Sequence, residues 1–196
     1  TDDLRWSPGV EWSGDSLDHL CGLNLCRENL QGVADLSGLS QLERIFLSGN
    51  SLRAVVLDDH FHLRELHAVD NQLVRINLAA APGLMELDLT GNHLVNLDLS
   101  GNQDLVTICV SGNRLLDLDL TRVPKLKRLV ADANQLGSLN LNGCPELNYL
   151  AVYENRLTEL DLSRNLKLET LNAADNQLSR LDLSHNQNLA YLNLFN

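Results

Sequence analysis

The stretch "LMELDLTGNHLVNLDLSGNQDL", Leu84 to Leu105, decides the fold, because it states nearly the same phrase twice in succession. Extending its spacing in both directions puts one leucine register at Leu20, Leu42, Leu63, Leu84, Leu105, Leu126, Leu147, Leu168 and Leu189. After a first step of 22 residues, every step is 21. Eight residues beyond each leucine an asparagine recurs, as Asn50, Asn71, Asn92, Asn113, Asn134, Asn155 and Asn176, with Glu28 in its place in the first unit. A fixed period of this length is the mark of a stacked repeat, so the register predicts nine turns of one solenoid over residues 20–196.

Each turn holds two LxL triplets, and each triplet alternates apolar and polar residues as a half-buried strand does. A front set is read in "LERIFLSGN" from Leu42 and "LNYLAVYEN" from Leu147. A rear set is read in "LVNLDLS" from Leu94 and "LTELDLS" from Leu157, with Gly, Asn and Asp supplying the corners. In the first turn, "LQGVADLSGLSQL" (Leu30 to Leu42) reads instead as turn-like or briefly helical, a wider back that would curve the N-terminal end. A single turn does not stand alone. Six buried leucines at about 1.5–3 kcal/mol each fall short of about 1–2 kcal/mol per residue of chain entropy, so stacking must supply the remainder. The Asn column is therefore expected to point inward as a structural ladder, its amides bonded to backbone of its own and neighbouring turns.

The consensus LxxLxLxxN over residues 20–196 resembles the leucine-rich repeat superfamily. The nested unit, two similar halves of ten and eleven residues, resembles its bacterial class, and "VADLSGLSQLERIFLSGN" is similar to the 22-residue repeats of internalins. The resemblance implies the α/β horseshoe family of solenoids, here mainly β with strands on both faces, little helix, and a weakly curved right-handed rod. It also implies a protein-binding scaffold, of the kind found in surface proteins or effectors of bacteria that meet a host. The chain lacks the cysteine-rich caps of extracellular animal and plant members. Residues 1–19, with Trp6 and Trp12, break the repeat and are expected to cap the open core, the alternative being an exposed aromatic site. The chain stops at Asn196, one residue short of the next expected Asn, as the tail of the array or a cut through a longer protein.

Composition bounds the function. Of 196 residues 44% are apolar, and 26 acids against 15 bases give a net charge of −11. That charge repels nucleic acid phosphates and anionic membranes, so the expected partner is a basic or neutral protein. No apolar run is long enough to span a bilayer and no retained signal peptide is visible; an export signal upstream of Thr1 stays open. Cys21, Cys26, Cys109 and Cys144 show no zinc-ligand spacing. They read as free thiols of a reducing compartment, the bacterial cytoplasm or the host cytosol for a secreted effector, with a Cys21–Cys26 bridge as the alternative. No cofactor or metal is expected.

Function should lie in the letters that vary on the front strands, two, four and six residues after each first leucine. Tyr149 and Tyr153 on one strand face Tyr191 and Phe195 two strands away, across Thr170, Asn172 and Ala174. Two strand spacings make a trough with aromatic walls about 9–10 Å apart, the kind of surface that anchors an interface; the alternative is that the last pair merely seals the end. Glu65, His67, Asp70, Glu86 and Asp88 give the middle of the face an acidic patch, which either steers a basic partner or is simply solvated.

Three further clusters are weighed against simpler accounts. His67, Asp88 and Cys109 fall in one column, but the carboxylate stands between thiol and imidazole and would raise the thiol pKa, so catalysis is not expected. "DDHFH", Asp58 to His62, reads as a chance cluster at a corner, with His60 inward. Asp98, Asp119, Asp161 and Asp182 line up on the rear, interrupted by Asn140, held by turn hydrogen bonds or by weakly bound calcium. These readings lead to a non-enzymatic module that recognises a protein on its front sheet. The alternatives are the substrate-recognition domain of a larger bacterial effector enzyme with its catalytic domain elsewhere, and a surface adhesion rod.

Overall fold

In the computed structural model, residues 10–12 and 20–195 are described; residues 1–9 and 13–19 of the expected cap, Trp6 among them, and Asn196 lie outside the described residues. The front triplets form nine parallel strands: β2 (Leu20–Asn24), β4 (Arg44–Phe46), β6 (Glu65–His67), β7 (Glu86–Asp88), β8 (Thr107–Cys109), β9 (Arg128–Val130), β10 (Tyr149–Ala151), β11 (Thr170–Asn172) and β12 (Tyr191–Asn193). Neighbouring strands pair each framework residue with its equivalent in the next turn, as Leu66 with Leu87 and Ile108 with Leu129. β1 (Val10–Trp12) runs antiparallel along the outer edge of β2. The architecture is a β-solenoid of eight complete turns and the front strand of a ninth, and no helix occurs among the described residues.

The register leucines from Leu42 to Leu168 are wholly buried, stacked one per turn into one continuous core. The asparagines behind them are buried from Asn71 to Asn176. Asn113 is representative: its Nδ2 donates to the carbonyls of Val110 in its own turn and Leu89 in the turn before, at 3.0 Å each, and its Oδ1 accepts the Leu94 N–H at 3.0 Å. One residue earlier each turn enters the left-handed region. Gly49, Gly91 and Gly112 have φ of 73°, 69° and 64°, and Arg27, Asp70, Ala133, Glu154 and Asp175 hold the same conformation at 50–60°. A Cβ on Gly91 would also collide with the Asp70 carboxylate that leans over it from the preceding turn.

The rear departs from the sequence expectation, and in the opposite sense to it. The first turn, expected to be turn-like or helical, carries a strand, β3 (Gln31–Asp35), which pairs in parallel with β5 (Ser51–Val56) in the second turn. The later turns carry extended rear segments without a strand ladder. One position recurs along the rear. Where β5 has β-branched Val56, the following turns have Asn77, Asp98, Asp119, Asn140, Asp161 and Asp182, and each side-chain Oδ1 accepts the N–H two residues on, at 2.9–3.1 Å. Asp35, which stands opposite Val56 at the end of β3, makes the same bond to the Ser37 N–H at 3.0 Å, so the side-chain turn is compatible with a ladder; β3 and β5 also carry Val33, Val55 and Val56, residues that favour the pleated form.

Candidate functional site

Because the front register is strict, the outward letters stand in straight columns. Tyr149, Thr170 and Tyr191 are direct cross-strand neighbours on β10, β11 and β12, as are Ala151, Asn172 and Asn193. The structure therefore places Tyr149 and Tyr191 on opposite sides of Thr170. Tyr191 is 53% and Phe195 81% exposed, while Tyr149 and Tyr153 are half-buried and Ala174, expected to face outward, is buried. Arg128, on β9 outside the trough, lays its guanidinium 3.7 Å from the centre of the Tyr149 ring. That cation–π contact fixes the ring and brings a positive charge to the trough's outer wall. The sequence reading omitted Arg128 from the site, although an Arg and a Tyr one period apart in the same column were the signal for it.

Behind Tyr153 lies Asp132, buried at 6% exposure. Its Oδ1 accepts the Tyr153 N–H at 3.0 Å, and Ser111 Oγ donates to its Oδ2 at 3.4 Å. Burial pushes the Asp132 carboxyl up to about 6 despite these bonds, and its charge in turn raises the Tyr153 hydroxyl above the usual range.

In the middle of the sheet Glu65, His67 and Glu86 gather on β6 and β7, with His67 Nε2 3.6 Å from Glu86 Oε1. Asp88 stands beside His67 across the strands, its Oδ1 accepting the Thr90 N–H, and Phe46 flanks the imidazole from the other side at 5.0 Å between ring centres. Asp70 sits at the corner, away from this cluster, over Gly91.

The remaining candidates fall into place as follows. His67, Asp88 and Cys109 occupy successive strands with the carboxylate between the other two. Burial first, and Asp88 second, push the Cys109 thiol up to about 11, the reverse of what a nucleophile needs. Cys21 and Cys26 are not bridged, and Cys144 is buried with Sγ donating to the Leu120 carbonyl at 3.6 Å. His60 is fully buried, its Nδ1 2.7 Å from the Asp58 carbonyl, and burial holds its pKa below the usual histidine range. On the rear, the carboxylates of Asp98, Asp119, Asp161 and Asp182 are held below their usual range by the turn N–H and hydroxyl groups that they accept from. Asp161 and Asp182 line an open rear groove of about 730 Å³ with Glu159, Arg180 and His185.

Comparison with known proteins finds likeness in solved structures. No protein-family model and no curated protein sequence matches the chain. YopM, a leucine-rich effector protein of Yersinia pestis, is 28% identical with a TM-score of 0.77, over 88% of this chain and 48% of that one. YopM of Yersinia enterocolitica is 31% identical with a TM-score of 0.70, over 79% of this chain and 33% of that one. The functional domain of InlJ from Listeria monocytogenes is 26% identical with a TM-score of 0.61, over 81% of this chain and 40% of that one. The chain thus spans a third to a half of the length of these proteins. Among the described residues, no helix is long and apolar enough to cross a membrane.

Proposed function

The chain belongs to the leucine-rich repeat superfamily, in its bacterial class, and from that premise we propose that it is a non-enzymatic module that recognises a protein on its front sheet. Its residues 1–19 serve as the cap of that scaffold, and the aromatic trough of Tyr149, Tyr153, Thr170, Asn172, Ala174, Tyr191 and Phe195 is the main contact. The observation that carries the reading is the Tyr149 ring, clamped by Arg128 on a strand inside the array and facing Tyr191 across Thr170. Aromatic groups fixed before binding lose little entropy on contact, and such residues dominate interface energies. The acidic patch of Glu65, His67, Asp70, Glu86 and Asp88 adds attraction for a basic segment of the same partner. An effector or surface protein of a bacterium that meets a host is the setting that the likeness to YopM and InlJ supports.

The test is affinity capture from host-cell lysate with the wild-type chain and the Tyr149→Ala, Tyr153→Ala double variant, followed by calorimetry on the captured protein. A lost anchor is expected to cost about 2 kcal/mol, or about thirtyfold, so the double variant should lose on the order of several hundredfold in affinity while its circular dichroism and melting curve stay unchanged. Equal capture and equal affinity in a folded double variant would sink the trough as the interface.

A further inference from the structure

We propose that Glu65, His67 and Glu86 form a binding site for one divalent transition-metal ion of the zinc type, on the middle of the front sheet. The proposal does not depend on the protein-recognition reading. β6 and β7 pair in register, so Glu65 and Glu86 are direct cross-strand neighbours, and His67 follows Glu65 by two residues on the same face. One ligand atom from each of the three lies within 4.8 Å of the other two, and His67 Nε2 and Glu86 Oε1 are 3.6 Å apart. A tetrahedral ion with bonds of about 2.0–2.2 Å sets its ligand atoms about 3.3–3.6 Å from one another. The set therefore closes on an ion by small turns of the two glutamate side chains, which reach into solvent from a fixed backbone.

A second observation points the same way. His67 Nε2 is sealed from water and has no hydrogen-bond partner. Its recorded polar neighbour is Glu86 Oε1 at 3.6 Å, an ion-pair contact for a protonated ring but too long for a hydrogen bond, and a metal ion shared by the two would satisfy both. Phe46 on β4 also packs against the ring from one side. Charge supplies the third argument. Glu65 and Glu86 are like charges on directly opposed positions of neighbouring strands, with Asp88 one step along, an arrangement that repels unless a cation offsets it. Arg44, beside Glu65 on β4, brings one positive charge to that face, and a bound ion would meet both carboxylates and the imidazole nitrogen together.

The donor set selects the metal. An imidazole nitrogen with two carboxylate oxygens suits zinc, cobalt or nickel better than calcium or magnesium, which take oxygen ligands throughout. Three protein ligands leave a fourth position facing solvent, as in exchangeable rather than structural zinc sites. A linear motif search does not reveal the site, because its ligands stand at i, i+2 and i+21 and meet only once the turns are stacked.

The test uses chelator-treated, dialysed protein titrated with zinc chloride by calorimetry, and with cobalt chloride by visible absorption. One ion per chain is expected, with a cobalt spectrum of a nitrogen-containing site and no competition from millimolar calcium. His67→Asn, Glu65→Gln and Glu86→Gln should each weaken zinc by at least about tenfold, while a His62→Asn, His185→Asn variant binds as the wild type does. Zinc should also raise the melting temperature of the wild type and not of His67→Asn. Should His67→Asn fail to fold, the two glutamine variants decide. Absence of stoichiometric zinc binding by the wild type, or binding that survives His67→Asn or both glutamine variants, overturns the proposal.

Discussion

Asp132 shows how one side chain can hold a strand edge together and still cost stability. It supplies the acceptor for the Tyr153 N–H, a place taken by Ser48 for Val69 and by Ser111 for Asp132 itself. Unlike a serine it brings a charge into a buried position, and its folded pKa of about 6 lies above the ordinary 3.8. A folded state that binds the proton more tightly than the unfolded one is penalised once the proton is gone. The penalty is therefore complete above about pH 6 and vanishes below about pH 4. Asp132→Asn keeps the acceptor and removes the charge, so it should stabilise the protein by on the order of 2 kcal/mol at pH 7 and by almost nothing at pH 4. Urea unfolding at the two pH values measures this, and an equal gain at both would refute the account.

At the level of the element, front and rear are built from similar phrases and behave differently. Front amides are paired in a ten-stranded sheet, whereas residues 95–99 and 116–120 run along the rear without a ladder. Amide hydrogen exchange should therefore find Leu87, Ile108 and Leu129 protected to near the global stability, and Asn96 and Leu116 exchanging orders of magnitude faster; equal protection would show a rear ladder. The front strands and their outward columns were legible in the sequence, because a period of 21 residues leaves one register in which every framework leucine is buried. The rear was misread because "LDLS" alternates like a strand, and alternation records which side chains are buried but not whether the backbones of neighbouring turns pair. For the same reason the trough's residues were legible as columns, but the seating of Arg128 on Tyr149 and the meeting of Glu65, His67 and Glu86 depend on rotamers that spacing does not set.

Over the whole molecule, a net charge of −11 acts on a partner before any contact is made. The recognition reading predicts that association slows by about tenfold or more between low and high salt. Glu65→Gln with Asp88→Asn should flatten that dependence, whereas the tyrosine double variant should raise the dissociation rate and leave the salt slope alone. Stopped-flow association with the captured partner reads both, and a salt-independent wild-type rate would remove the steering. The amides inside the stack have a consequence of another kind, because they point one way along it. From Asn71 to Asn176, each reaches back for a carbonyl and an N–H of the turn before it, and for nothing in the turn after. A turn peeled away on the C-terminal side strips no earlier Asn of its partners, while one lost on the N-terminal side strands the next amide in the core. The array has a polarity of growth, and it is the ribosome's: as the chain emerges, each new turn docks onto partners that are already folded.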